Sequence, residues 1–180
     1  MALILVAACG GPDDAEVAAA RTRASDAAAQ LMGALFTELQ AALAKGPPEQ
    51  AIDVCADKAP ATAKRIGEET GLSVRRTSLR TRNPGNAPDA WERAWLEKAS
   101  AGGAPAVDDA EVVRGDGGYE LRYVRVVRLA EMCTTCHGAS GKIPPAVKEA
   151  IARRYPEDRA TGFAPGDLRG VVSVRVLFAE

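Results

Sequence analysis

One histidine, His137, serves all 180 residues, and only one CxxC pair, Cys133 and Cys136, occurs among four cysteines. That scarcity argues against a structural zinc site, which wants four ligands. Neither sign of charge is in excess. Lys and Arg number 23 against 24 Asp and Glu, a net charge of -1, so the basic surface that nucleic acid calls for is missing. The local basic cluster from Arg75 to Arg82 reads either as a solvated strand and turn or as a site near anionic groups. No internal repeat is visible, and there is no kinase, cyclase or coiled-coil transmitter segment. The apolar run Ala2 to Ala8 is far too short to span a bilayer as a helix.

What is present is globular in character: 47% hydrophobic and 26% charged residues in a length that suits one compact domain and is short for two. The run into Val6-Ala7-Ala8-Cys9 is similar to the lipobox of bacterial lipoproteins, in which the Cys is lipidated. It lacks a positive n-region and is short for a signal h-region. Residues 1–12 are therefore set apart as a truncated signal or lipoprotein segment with Cys9 as its lipidation site, the competing reading being an apolar terminus with an incidental Cys. Residues 13–180 form the single expected domain.

Asp13 and Asp14 precede an Ala-rich stretch, a helix start, and Leu31, Met32, Leu35, Phe36, Leu39 and Leu43 give that helix an apolar face until Gly46-Pro47-Pro48 stops it. A second helix carries Ile52, Cys55, Ala56, Ala59, Ala63 and Ile66 on one face, with Gly71 as its C-terminal cap. Leu72 to Leu79 reads as a strand, and a third helix opens at Pro88-Asp89-Ala90-Trp91 and runs towards Gly102-Gly103. A hairpin follows around Gly115-Asp116-Gly117-Gly118, in which Tyr119, Leu121 and Tyr123 alternate with Glu120 and Arg122. A helix near Val147 to Tyr155 and a strand with Val172, Val174, Val176 and Phe178 on one face complete an α+β pattern.

Cys133-Thr134-Thr135-Cys136-His137 is the C-x-x-C-H haem attachment pattern. Two thiols at this spacing can reach the two vinyl groups of a porphyrin, and the residue after them then falls under the iron, where an imidazole nitrogen binds. A thioredoxin-like redox pair would not need the His. With the lone His used, bis-His ligation within one chain is excluded. The residues leave the sixth iron position open to Cys55, Met32, a Lys, water or nothing, and Cys55 reads equally as a buried core thiol.

Wider segments carry a resemblance. Ala51-Ile52-Asp53-Val54-Cys55, then Arg80-Thr81-Arg82-Asn83-Pro84 with Asn86, Pro88 and Trp91, are followed by the Cys133–His137 motif with Gly138. Tyr155-Pro156-Glu157-Asp158 with Ala160 and Gly162, and Gly166-Asp167-Leu168-Arg169-Gly170, close the series. In this order they resemble the Tll0287-like haem-binding domain family, with Phe163 standing where Tyr is expected. The resemblance implies a PAS-like fold, an antiparallel sheet with packed helices and one covalently bound haem c. It also implies axial ligation by His137 and Cys55, with Arg82, Asn83 and Arg169 as turn formers or as loop or propionate contacts. The expected function is low-potential electron transfer or redox signalling by an exported, periplasmic monohaem cytochrome, possible lipid anchorage at Cys9 included. The alternative is a redox or diatomic-gas sensor working through a separate partner. A haem enzyme ranks last, because no second His is available for distal acid–base chemistry. No redox partner is named by the sequence.

Overall fold

The computed structural model describes residues 10–115 and 117–179, with Cys55 described by its backbone alone. Cys9 and Asp116 lie outside the described residues.

The first helix, α1, spans Asp14–Lys45. Its start is a capping box: Asp13 Oδ1 accepts the Glu16 N–H at 2.8 Å and Glu16 Oε2 accepts the Asp13 N–H at 2.9 Å. Gly46 closes it where expected. Its buried stripe is Ala20, Ala24, Ala27, Ala28 and Leu31, spaced by three and four residues. These small side chains let α1 lie close upon a sheet that offers Leu121, Tyr123, Val172, Val174 and Val176. The apolar face expected farther along is buried only at Leu31: Met32 and Leu35 are half-buried, and Phe36 is 48% exposed.

A continuous helical run follows. Ala51–Asp53 (α2) passes through a π-helical turn, Val54–Lys58, into Ala59–Thr70 (α3). Gly71 caps it at φ 69°, a left-handed conformation that favours glycine. The π turn inserts one residue and rotates the faces after it. Ile52 and Ala56 accordingly pack with one apolar cluster, while Ala63 and Ile66 pack with α1.

Four antiparallel strands form one sheet in the order β1-β4-β3-β2: Ser73–Thr77 (β1), Asp108–Gly115 (β2), Gly118–Arg128 (β3) and Leu168–Leu177 (β4). The expected hairpin pairs Gly115 with Gly118 and Arg114 with Tyr119. The even-numbered valines of β4 share one face, as anticipated, and that face packs against α1.

The other face of the sheet departs from simple alternation. Glu120 and Arg122 are buried too, as is Ser173. The helix Ala90–Lys98 (α4), opened by an Asp89/Glu92 capping box, covers that face through Leu96, which packs with Val124 and Val171. Arg122 is thereby held between Asp89 and Glu120, with Trp91 4.8 Å from its guanidinium. The domain is α+β, an antiparallel sheet with helices on both faces.

Since the alanine stripe is the packing face, Ala24→Leu is expected to destabilise the fold by about 1–3 kcal/mol through overpacking. Phe36→Leu should change stability by less than about 0.5 kcal/mol, as exposed positions do. Urea unfolding of both variants checks this, and equal effects would assign the packing to the wrong half of α1.

Candidate cofactor site around Cys133–His137

β3 feeds the motif directly. After Leu129 the chain makes a 3-10 turn, Glu131–Cys133, which continues as the short helix Thr134–His137 (α5). Thr134 Oγ1 donates to the Glu131 carbonyl at 2.7 Å, and the Gly138 N–H donates to the Thr134 carbonyl at 2.8 Å. A Cβ on Gly138 would lie 2.5 Å from that same carbonyl oxygen, so the residue after the histidine has to be glycine for the turn to close. Both cysteines are half-buried. Cys133 packs with Leu129, Ala160 and Phe163, whereas Cys136 joins the cluster of Ile52, Ile143, Val147 and Ile151. Those last three belong to, or immediately precede, the helix Pro145–Arg154 (α6).

His137 is fixed from behind. Its Nδ1 is 2.6 Å from the Ala160 carbonyl. A carbonyl only accepts, so the proton is on Nδ1 and the lone pair is on Nε2. Burial, followed by the nearby charges of Arg82 and Arg169, pushes its pKa down to about 3 despite the opposing bond to Ala160. The imidazole is therefore neutral at physiological pH, the form a metal ligand requires.

Backbone bonds tie the Ala160 loop to the motif: Gly162 N–H donates to the Gly138 carbonyl at 2.7 Å and Phe163 N–H to the His137 carbonyl at 3.0 Å. Arg82 organises both pieces. Its Nη2 donates to the Cys136 carbonyl at 2.6 Å and the Ala160 carbonyl at 3.4 Å. Its fork also meets both oxygens of Asp158, at 3.1 and 3.3 Å, and Asp158 Oδ1 accepts the Ala160 N–H at 3.0 Å. The Arg82 and Asp158 side chains are 7% and 9% exposed, so this is a buried pair with its hydrogen bonds filled.

The other residues singled out in the sequence divide. Asn83 is a turn former, its Oδ1 accepting the Gly85 N–H. Arg169 donates to Ser78 Oγ and to the Arg80 carbonyl. Phe163 is buried, with the Arg80 and Arg169 guanidiniums 4.1 and 5.4 Å from its ring centre. Cys55 lies within the π turn, and its side chain is outside the described residues. Its neighbours Ile52 and Ala56 pack in the Cys136 cluster, and Asp53 and Asp57 on either side of it both pair with Arg154 of α6. Met32 packs instead against the core between α1 and the sheet. Among the described residues no three His, Cys, Asp or Glu side chains converge to hold a metal ion. The π turn and the Arg82–Asp158 pair had no motif to announce them; only the resemblance touched Asp158, Ala160 and Gly162.

The Tll0287-like family model matches residues 14–176. The chain is also similar to a solved structure described as the cyanobacterial heme-protein Tll0287, with 26% identity, a TM-score of 0.63, and coverage of 92% of this chain and 96% of that one. No curated protein matches significantly.

Arg82→Ala would leave Asp158 buried without its counter-charge. The expected loss is about 3–5 kcal/mol in urea unfolding. Arg82→Lys should recover only part of it, since a single ammonium cannot span both carboxylate oxygens and the two carbonyls. A loss below about 1 kcal/mol would show that the pair does not organise the loop.

Proposed function

The chain belongs to the Tll0287-like family, and from that membership we propose that it is a monohaem c-type cytochrome. The observation that carries the proposal is the state of His137: neutral, with Nδ1–H fixed on Ala160 and Nε2 left for iron, one residue after the second of two half-buried thiols. The donor set fits a haem. Cys133 and Cys136 supply the sulfurs for two thioethers, and their apolar surroundings, Phe163 on one side and Ile143 with Val147 on the other, suit a porphyrin edge.

When bound, the haem supplies one-electron chemistry at iron. The protein's own contribution is positional and electrostatic. Ala160 holds the Nδ1 proton, which orients the ring and raises the basicity of Nε2. Arg82 and Asp158 keep the Ala160 carbonyl in place for that bond. Cys55 is proposed as the second axial ligand. Its helix packs beside Cys136 through Ile52 and Ala56, and π turns occur frequently at functional sites. A thiolate there would donate charge to the metal, favour the ferric state and lower the reduction potential.

Low-potential electron transfer or redox signalling with a separate partner protein is the function this ligation supports, without an enzymatic reaction. The π turn favours a second reading. A helix segment with one extra residue, held to α6 by the exposed pairs of Arg154, could release its ligand, as a redox or diatomic-gas sensor requires. Haem attachment of this type takes place outside the cytoplasm, so the proposal includes an exported, periplasmic protein with Cys9 as a lipid anchor. Among the described residues no helix is long and apolar enough to cross a membrane.

Replacing both Cys133 and Cys136 by Ala should abolish haem that survives acid–acetone extraction, and survival of such haem would sink the proposal. Cys55→Ser should raise the reduction potential and remove thiolate features from the ferric spectrum while the haem stays attached. An unchanged ferric spectrum would return Cys55 to a core thiol and move attention to Met32. Rapid binding of CO or NO by the native protein would favour the sensor, inertness the carrier.

A further inference from the structure

The two ends of the sheet differ in what they carry. β3 begins at Gly118, in the hairpin with β2, and ends at Arg128, a few residues before Cys133. Its 11 extended residues cover about 35 Å. The hairpin and the Cys133–His137 motif therefore stand at opposite ends. Thr77, the last residue of β1, and Leu168, the first of β4, lie at the motif end. β4 finishes at the other: Leu177 pairs with Glu120, and the Phe178 N–H donates to the Tyr119 carbonyl at 3.0 Å.

The segment before α1 passes over the hairpin end. A Cβ on Gly11 would lie 3.1 Å from the Tyr119 ring, so backbone and ring are in direct contact there. Cys9 is two positions before Gly11 in the chain, and two residues reach at most about 7 Å. A lipid on Cys9 would thus be joined to the domain with almost no slack, at the hairpin end. The side chains there suit a bilayer surface. Leu177 is 70% exposed, because α4 covers that face of the sheet only around Val124 and Val171. Tyr119 is half-buried, with the exposed Arg114 guanidinium 5.5 Å from its ring centre. A tyrosine, with an apolar body and a polar tip, and an arginine, with an apolar stem under its charge, settle at the boundary between headgroups and acyl chains. Asp14 and Glu16, in the first turn of α1, offset the charge of Arg114, so apolar burial rather than lipid charge would hold this end down.

We propose that the hairpin end of the sheet, through Leu177, Tyr119 and Arg114, rests on the surface of the bilayer that holds the lipid of Cys9; this rests on the anchor reading above. The domain then stands on end. The Cys133–His137 motif is held roughly the length of β3 away from the lipid and faces the aqueous compartment. A partner protein meets the motif from water rather than from within the membrane.

Hydrogen exchange read by mass spectrometry tests this orientation, with the lipidated full chain in phosphatidylcholine vesicles compared against the Cys9→Ser chain in solution. Exchange should slow severalfold in peptides covering residues 112–119 and 176–179 and stay unchanged over residues 129–143. The lipidated Leu177→Asp chain, altered only at an exposed side chain, should remain with the vesicles and lose most of that slowing. Raising the salt concentration should leave the native pattern in place. In a chain whose Cys9 carries lipid, slowing confined to residues 129–143, or none at the hairpin end, would overturn the orientation alone. Full slowing in Leu177→Asp would overturn the apolar contact. A full-length chain from its native membrane with an unmodified Cys9 would overturn the anchor reading, and the orientation with it.

Discussion

The buried pair between Arg82 and Asp158 is the interaction on which the site depends. It does not touch the motif's side chains, yet it holds three backbone groups that define the motif's surroundings: the Cys136 carbonyl, the Ala160 carbonyl and the Ala160 N–H. The bond from His137 Nδ1 then has a fixed target, and the ring's other nitrogen is fixed with it. A buried ion pair of this kind is seldom a large net source of stability. What it supplies here is position, because a planar guanidinium with several donors can satisfy a carboxylate and two carbonyls from one centre.

That arrangement needs a rigid frame behind it. The strands that carry Val124, Val171 and Val174 are covered on one face by the alanine stripe of α1 and on the other by α4. β3 leads straight into the motif, Arg82 lies on the chain that leaves β1, and Arg169 stands at the start of β4. The site is thus anchored at the end of a doubly covered sheet, although its own residues are mostly on short turns.

Much of this was legible from the sequence, and the parts that were not have physical reasons. The strands were readable because their apolar residues alternate, and the C-x-x-C-H motif because its residues are contiguous in the chain. The packing half of α1 was misleading: leucine and phenylalanine advertise a core face more strongly than alanine, but close approach of a helix to a sheet is what alanine permits. Alternation alone did not show that Glu120 and Arg122 are buried, because their neutralising partners come from elsewhere, Asp89 at the start of α4 and Arg175 on the next strand. The π turn adds a single residue to a continuous helical pattern, which periodicity cannot resolve. Arg82 and Asp158 are 76 residues apart, and the histidine's partner is a backbone carbonyl, which no side-chain pattern encodes.

The strand order has a consequence for how the chain is made. β4 lies between β1 and β3, yet it follows both in the chain, and the motif precedes it. Until β4 enters, β1 has no neighbour: Ser73 must wait for Arg175 and Thr77 for Val171. Pairings across so much intervening chain close slowly compared with helices and hairpins. During that interval Cys133 and Cys136 stand on an unfinished sheet, before the strand that carries Arg169 has paired. The topology thereby leaves an interval in which both thiols are more open than in the finished fold, where they are half-buried.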